Sequence, residues 1–326
     1  MAEQYHPSLD DPTAWVPYRY HPSRAAAIVF VVAFALTTIF HSFQLCKRRT
    51  WYFIPLVIGG LFEILGYVGR ILSTNDFWAL GPYIMQSLLL LVAPALFAAS
   101  IYIVLGRIIL LVDGEQHSLI RQKWLTKIFV TGDVISFLVQ AGGGGIQAAG
   151  SLTLLHAGEK IIVVGLFLQL AFFGFFIVVA ALFHFRFTNA NAAFSSGDRS
   201  ESAHEHAAKR DVHRVSSGPP GTARPSVVGS YHLPWKRHMY VLYLASALIM
   251  VRSVFRVVEY LQGNNGYILR HEVYLYIFDA LLMLAVMCLF NWSHPAQVTD
   301  LYLERRAEGD GYALEMHDGY VQHERV

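Results

Sequence analysis

The sequence predicts an all-α fold, a polytopic membrane protein built as a seven-transmembrane-helix bundle with its N-terminus outside and its C-terminus cytoplasmic. Three observations carry that prediction. Of 326 residues, 55% are hydrophobic and only 15% charged, against about 25% charged in soluble domains, and the mean hydropathy is +0.41. Seven apolar runs are long enough to cross a hydrocarbon core about 30 Å thick, which takes about 20 helical residues. Lys and Arg fall unevenly between alternate connecting segments, 18 on one side and 5 on the other, and cytoplasmic loops carry the excess. Helices are the economical form for such runs, because an open sheet leaves backbone groups unpaired in lipid.

In chain order, residues 1–24 form an outer tail. Its start, MAEQYHPSLDDP, lacks the basic and early apolar regions of a cleavable signal, so the first run, 25–44, is expected to act as an uncleaved signal anchor. The next runs are 51–69, 82–111, 125–149 and 161–187, giving five helices over 25–187. In the third, Pro94 with Ala95, Ala98 and Ala99 predicts a kink and close helix packing. In the fourth, Gly142 to Gly145 forfeit about 1 kcal/mol each relative to Ala in a helix. Either the helix ends or unwinds there, or a neighbour packs very closely. Residues 188–237 are rich in Ser, Gly, Pro, His and charge without apolar periodicity, and predict a disordered cytoplasmic loop. Within it, His204, Glu205 and His206 read as solvated linker in preference to a metal site. Runs 238–261 and 273–292 supply the last two helices, and 293–326 a charged cytoplasmic tail.

Composition also excludes. A net charge of +2, with bases in short clusters between apolar runs, argues against a nucleic-acid binder. Cys46 and Cys288 show no paired spacing of a disulfide framework or zinc knuckle. The absence of a GxxxxGK[ST] loop argues against an ATP-driven pump, and no internal repeat stands out. The sequon at Asn291 falls at the inner end of the last span, where no sugar is expected.

Ionisable groups inside a span are expensive, which makes each a functional candidate. Glu63, Arg252, Arg256, Glu259 and Asp279 all fall in the outer half of their helices, joined by Gln86, Gln140 and Gln169, and predict a polar cavity open to the outside. Glu63, Gly66, Tyr67 and Arg70 share one helix face at i, i+3, i+4, i+7; Arg252, Arg256 and Glu259 share another. Arg70, Arg252, Arg256 and Glu259 read as a structural charge network, in which Arg256 pairs with Glu259 and Arg252 with Glu63 or Asp279. Glu63 and Asp279, each alone on its helix, read with Gln86 and Gln140 as substrate-binding or proton-linked groups, since a desolvated carboxylate suits a proton-linked step or capture of a cationic head group. In the inner half, His41, Asp133, His184 and His294 are weak candidates for a zinc set; without an HxxxH or HExxH pair, interfacial anchoring is the preferred reading. No cofactor and no enzymatic activity are expected.

The strings YHPS (from Tyr20), EILGYVGR (from Glu63), YIMQSLLLLVAPALFAASIYIVLGR (from Tyr83), FVTGDVISFLVQAGGGG (from Phe129), VRSVFRVVEYLQG (from Val251) and HEVYLYIFDALLM (from His271) resemble the fungal lipid-translocating exporter family, which includes aminocholesterol-resistance proteins and a sphingoid long-chain-base exporter. The resemblance spans 18–295 and implies export or transbilayer movement of amphiphilic lipids, with members linked to porphyrin handling and drug tolerance. It brings no catalytic residues, but Glu272 joins the polar residues that its strings contain. The leading expectation is thus a transporter or exporter of amphiphiles such as sphingoid long-chain bases or phospholipids, integral to the plasma membrane, with membrane lipids or amphiphilic small molecules as partners. A ligand-sensing seven-helix receptor and a metal-dependent lipid hydrolase are the alternatives. Gly106-Arg107 and Asn291-Trp292 stand where a receptor's DRY-like and NPxxY-like signatures would be.

Overall fold

The computed structural model describes residues 16–76, 78–147, 152–208, 235–263 and 266–301. Its elements are α1 (Arg24–Arg48), α2 (Ile54–Ser73) after a 3₁₀ turn Trp51–Phe53, α3 (Leu80–Leu111), α4 (Gln122–Gln147), α5 (Leu152–Ala208), α6 (Trp235–Leu261), α7 (Glu272–Leu275), a π-helical segment Tyr276–Leu281 and α8 (Leu282–Trp292). The last three run on as a single rod, so among the described residues there are seven helices long and apolar enough to cross a membrane. Lipid-facing side chains such as Val29, Leu36, Phe167, Phe185 and Val254 are exposed around the outside. The protein is a seven-helix membrane bundle.

Packing follows chain order from α1 to α6, and α8 closes the ring against α6 and α1, while α3 also reaches α6 across the middle. Hence α3 is the most buried span. With lipid as apolar as Leu, what draws helices together is close packing and polar pairing. Glycines let α2 approach α3: a Cβ on Gly59 would come 2.6 Å from Phe97, and one on Gly66 would come 2.6 Å from Leu90. Rings fill the seam between α1, α2 and the last rod, with Phe30 stacked on Tyr276 at 5.1 Å and Phe34 on Tyr67 at 5.8 Å. A second aromatic cluster, Tyr102, Phe129, Phe173 and Phe176, joins α3, α4 and α5.

Two expectations resolve here. The four glycines neither end nor unwind α4, which continues to Gln147. Close packing is the reason for one of them: a Cβ on Gly143 would sit 2.8 Å from the Gly158 carbonyl oxygen of α5, whereas Gly142, Gly144 and Gly145 have open space. α5 runs on as helix to Ala208, into the segment from 188 onward that composition reads as a loop. Once a helix is nucleated each added residue gains a hydrogen bond, and the Ala- and Glu-bearing stretch NANAAFSSGDRSESAHEHAA carries no proline to stop it. The rest of that loop, and most of the 293–326 tail, lie outside the described residues.

The glycine run separates propensity from packing. Gly144→Ala should hold or raise the thermal stability of detergent-purified protein, by up to about 1 kcal/mol, while Gly143→Ala should lower it by about 1 to 3 kcal/mol through overpacking. Equal effects of the two substitutions would show that the α4–α5 approach is not tight.

Candidate functional site

The charged groups inside the bundle form a graded column at the end where α2 finishes and α7 begins. At its deep end, Arg252 of α6 is buried, and Nε donates to Asp279 Oδ1. Its Nη2 donates to the Leu90 carbonyl at 2.6 Å. That carbonyl is the one whose helical partner four residues on would be Pro94, which has no N–H. A proline inside α3 thus frees an acceptor in a hydrocarbon setting, and an arginine from α6 satisfies it. Asp279 stands in the π-helical segment, a local widening of the kind found at functional sites.

One turn closer to the end, Arg256 Nη1 meets Glu259 Oε2 at 2.7 Å, and both residues are buried. At the end itself Arg70 has no exposed surface, yet all sides of its guanidinium are engaged. It donates to Glu272 Oε1 at 2.6 Å, Tyr20 Oη at 2.7 Å, Tyr276 Oη at 3.1 Å and Gln86 Oε1 at 3.4 Å. Glu272 in turn accepts the Ser23 N–H on both oxygens, at 2.9 and 3.0 Å. Tyr18 donates to Gln86 Oε1 at 2.8 Å. The segment before α1 is therefore strapped across the end of the bundle. Burial pushes the Tyr18 and Tyr20 phenols up from their ordinary value although Arg70 pulls the other way, so both stay neutral, Tyr18 donating and Tyr20 accepting.

Beneath this strap lies a cleft of about 770 Å³, part of it open to solvent, walled by Tyr18, Tyr20, Arg70, Gln86, Arg256 and Glu259, with Tyr83 and Tyr260 among its aromatic lining. Glu63, on α2 seven residues before Arg70, is buried to 1% exposure and its Oε1 has no hydrogen-bond partner. Asp279, Arg252 and Arg256 are its charged neighbours. The Tyr67 hydroxyl, one turn from Glu63 on the same face, also lacks a partner.

The structure pairs Arg256 with Glu259, Arg70 with Glu272, and Arg252 with Asp279 in preference to Glu63. Asp279, expected either to pair with Arg252 or to serve as a substrate-binding group, is held by that arginine. A polar cleft lies at this end of the bundle, and of the four proposed substrate groups only Gln86 lines it. Glu63 and Asp279 lie off its walls, and Gln140 instead donates to Gln169 at 3.0 Å between α4 and α5. The four inner candidates are not brought together. His41 Nε2 lies 2.9 Å from the Met287 carbonyl, Tyr102 donates to Asp133 at 2.8 Å, His184 Nδ1 lies 3.2 Å from Tyr243 Oη, and the Ala296 N–H donates to His294 at 3.2 Å. Among the described residues no three His, Cys, Asp or Glu gather as a metal set. Sequence reasoning passed over Tyr18, Tyr20 and Tyr276 and gave Glu272 no role, although Glu272, Tyr276 and Asp279 repeat the i, i+4, i+7 spacing that marked the other two stripes.

A bundle whose surface faces lipid and whose interior holds three ion pairs beneath a polar cleft defines a polytopic membrane protein with a charged interior. The chain belongs to the RTA1-like family: the family model described as "RTA1 like protein" matches residues 56–301. Among its relatives in Saccharomyces cerevisiae, Protoporphyrin uptake protein 1 is 34% identical over 86% of this chain and 92% of its own length. Protein RTA1 is 33% identical over 85% and 84%, and Sphingoid long-chain base transporter RSB1 is 26% identical over 84% and 72%. No solved structure matches.

Removing one partner of a buried pair strands the other, which costs about 3 to 5 kcal/mol. Glu272→Gln should destabilise the purified protein by that order, and Tyr20→Phe by about 1.5 to 3 kcal/mol, the worth of a hydrogen bond to a charged group. The surface pair Arg48 and Asp300, 3.5 Å apart with both side chains exposed, is the control: Asp300→Asn should change thermal stability by less than about 1 kcal/mol. Equal melting of Glu272→Gln and Asp300→Asn would mean that the phenols and amide alone hold Arg70.

Proposed function

We propose that the protein moves amphiphilic lipids across the plasma membrane, with long-chain bases as the substrate class, and that the cleft under the N-terminal strap admits the polar head while the chain stays in hydrocarbon. The observation that carries this reading is Glu63. Every other carboxylate of the column has a cation of its own at hydrogen-bond distance, whereas Glu63 has none among the described residues; its Oε1 lacks a hydrogen-bond partner, as does Oδ2 of the paired Asp279. In a low-dielectric interior an unmatched carboxylate attracts a cation far more strongly than it does in water, and a lipid amine is such a cation. Arg256 and Leu90 belong to the cleft wall, and Arg252 is tied to Leu90. Glu63 therefore lies one layer of side chains below the cleft, a second station after the entry site. Seven residues of helix separate it from Arg70, about 10 Å along the axis. The family relatives named for sphingoid-base transport and protoporphyrin uptake support an amphiphile as cargo.

The test is flux of a fluorescent long-chain amine in proteoliposomes holding the full chain. Glu63→Gln should reduce initial flux at least about tenfold, the equivalent of about 1.4 kcal/mol and within the worth of one charged hydrogen bond. Flux of a neutral diacylglycerol analogue should change by less than about twofold. Loss of both fluxes in folded protein, or of neither, would remove Glu63 as the amine station.

The same reading places the N-terminus outside and residues 188–237 in the cytoplasm, because the basic residues gather on the latter side. Protease-accessible tags at the N-terminus and within 199–224 should report opposite faces of sealed plasma-membrane vesicles. Both tags on one face would put the cleft on the wrong side for export.

A further inference from the structure

At the opposite end of the bundle is a second cleft, of about 560 Å³ and also partly open, between α3, α4 and the segment after α8. Its wall is apolar on Ile103, Leu110 and Val298 and polar on Arg107, Gln122, Thr126 and Thr299. Arg107 dominates it. The guanidinium lies 3.4 Å over the Tyr52 ring and donates to Thr299 Oγ1 at 3.2 Å, while Thr299 donates to Tyr52 Oη at 3.0 Å. These contacts fix its plane and use one of five N–H donors. No carboxylate pairs with it among the described residues, in contrast to Arg70, Arg252 and Arg256. Arg107 is half-buried, as are Gln122 and Thr126, and all three line this partly open cleft.

We propose that this cleft is a binding site for a phosphate group. A planar guanidinium presents parallel N–H donors that match two phosphate oxygens, and the Gln122 amide and Thr126 hydroxyl add donors from the facing helix. The stacked Tyr52 ring and the Thr299 hydroxyl keep the guanidinium from collapsing onto another acceptor. Ile103, Leu110 and Val298 give the same cleft an apolar wall, which suits a phosphate carried on acyl chains over a free one. Arg121 and Lys123 flank Gln122 and are exposed, so they attract anions generally without entering the cleft. The site stands apart from the Arg70 end and does not depend on the transport reading.

Native mass spectrometry of the full chain released from nanodiscs, with phosphatidic acid and phosphatidylcholine in equal amounts, reads the site directly. Wild type should retain phosphatidic acid about tenfold over phosphatidylcholine, the equivalent of one charged hydrogen bond. Arg107→Gln should abolish that preference, and Thr126→Val should reduce it several-fold in case Arg107→Gln does not fold. Millimolar inorganic phosphate is the second arm. Competition by it would assign the site to soluble phosphate, and its failure to compete would assign the site to lipid. Overturning results are no phosphatidic acid preference and no phosphate competition in wild type, or an equal loss in Arg121→Gln/Lys123→Gln, which would make the attraction a diffuse surface effect.

Discussion

Arg252 is the joint on which the interior of this protein hangs. Three helices converge on one guanidinium: α6 supplies it, α3 offers the Leu90 carbonyl that Pro94 leaves free, and the rod of α7 and α8 offers Asp279 from its π-helical segment. Each of these features would be a liability alone. A proline in a spanning helix strands an acceptor, and an arginine or an aspartate in hydrocarbon loses its hydration. Together they cancel, and the cancellation works in one arrangement of the helices only. Close packing alone leaves helices free to slide on one another, whereas a charge with two fixed acceptors sets both rotation and depth.

The rest of the column follows from the same constraint. Arg256 and Glu259 satisfy one another within a turn of α6, leaving that helix self-consistent nearer the end. Arg70, the largest side chain without exposed surface, draws its partners from the segment before α1, from α3 and from α7, so the end of the bundle is closed by hydrogen bonds to a cation. Strap and cleft are thereby one structure, with Tyr18, Tyr20, Arg70 and Gln86 serving as both seal and wall.

The two ends of the bundle hold an arginine within the fold differently. At the Arg70 end a carboxylate is always at hand; at the Arg107 end a tyrosine face and a threonine hydroxyl hold the cation without neutralising it. A ring can orient a guanidinium, but it supplies no negative charge.

Much of this was legible in the sequence because a bilayer imposes one-dimensional rules. Span number and place follow from length and hydropathy, and the stripes on α2 and α6 from the spacing of Glu63 with Arg70 and of Arg252 with Glu259. The aromatic and glycine faces of α2 are legible for the same reason, that 3.6 residues make a turn. Family membership was legible as well, since the strings that carry it coincide with those stripes. Only the tertiary structure decided that Arg252 takes Asp279 and leaves Glu63 the odd carboxylate, because pairing between helices depends on their rotation and depth, which no local pattern encodes. The same holds for the tyrosine strap, whose partners lie 50 or more positions away, and for Gly143, alone among four glycines in facing a neighbour's backbone. The sequence by itself determined which groups had to be buried in lipid; the fold determined who answers each of them, since a charge is satisfied by distance in space and not by distance along the chain.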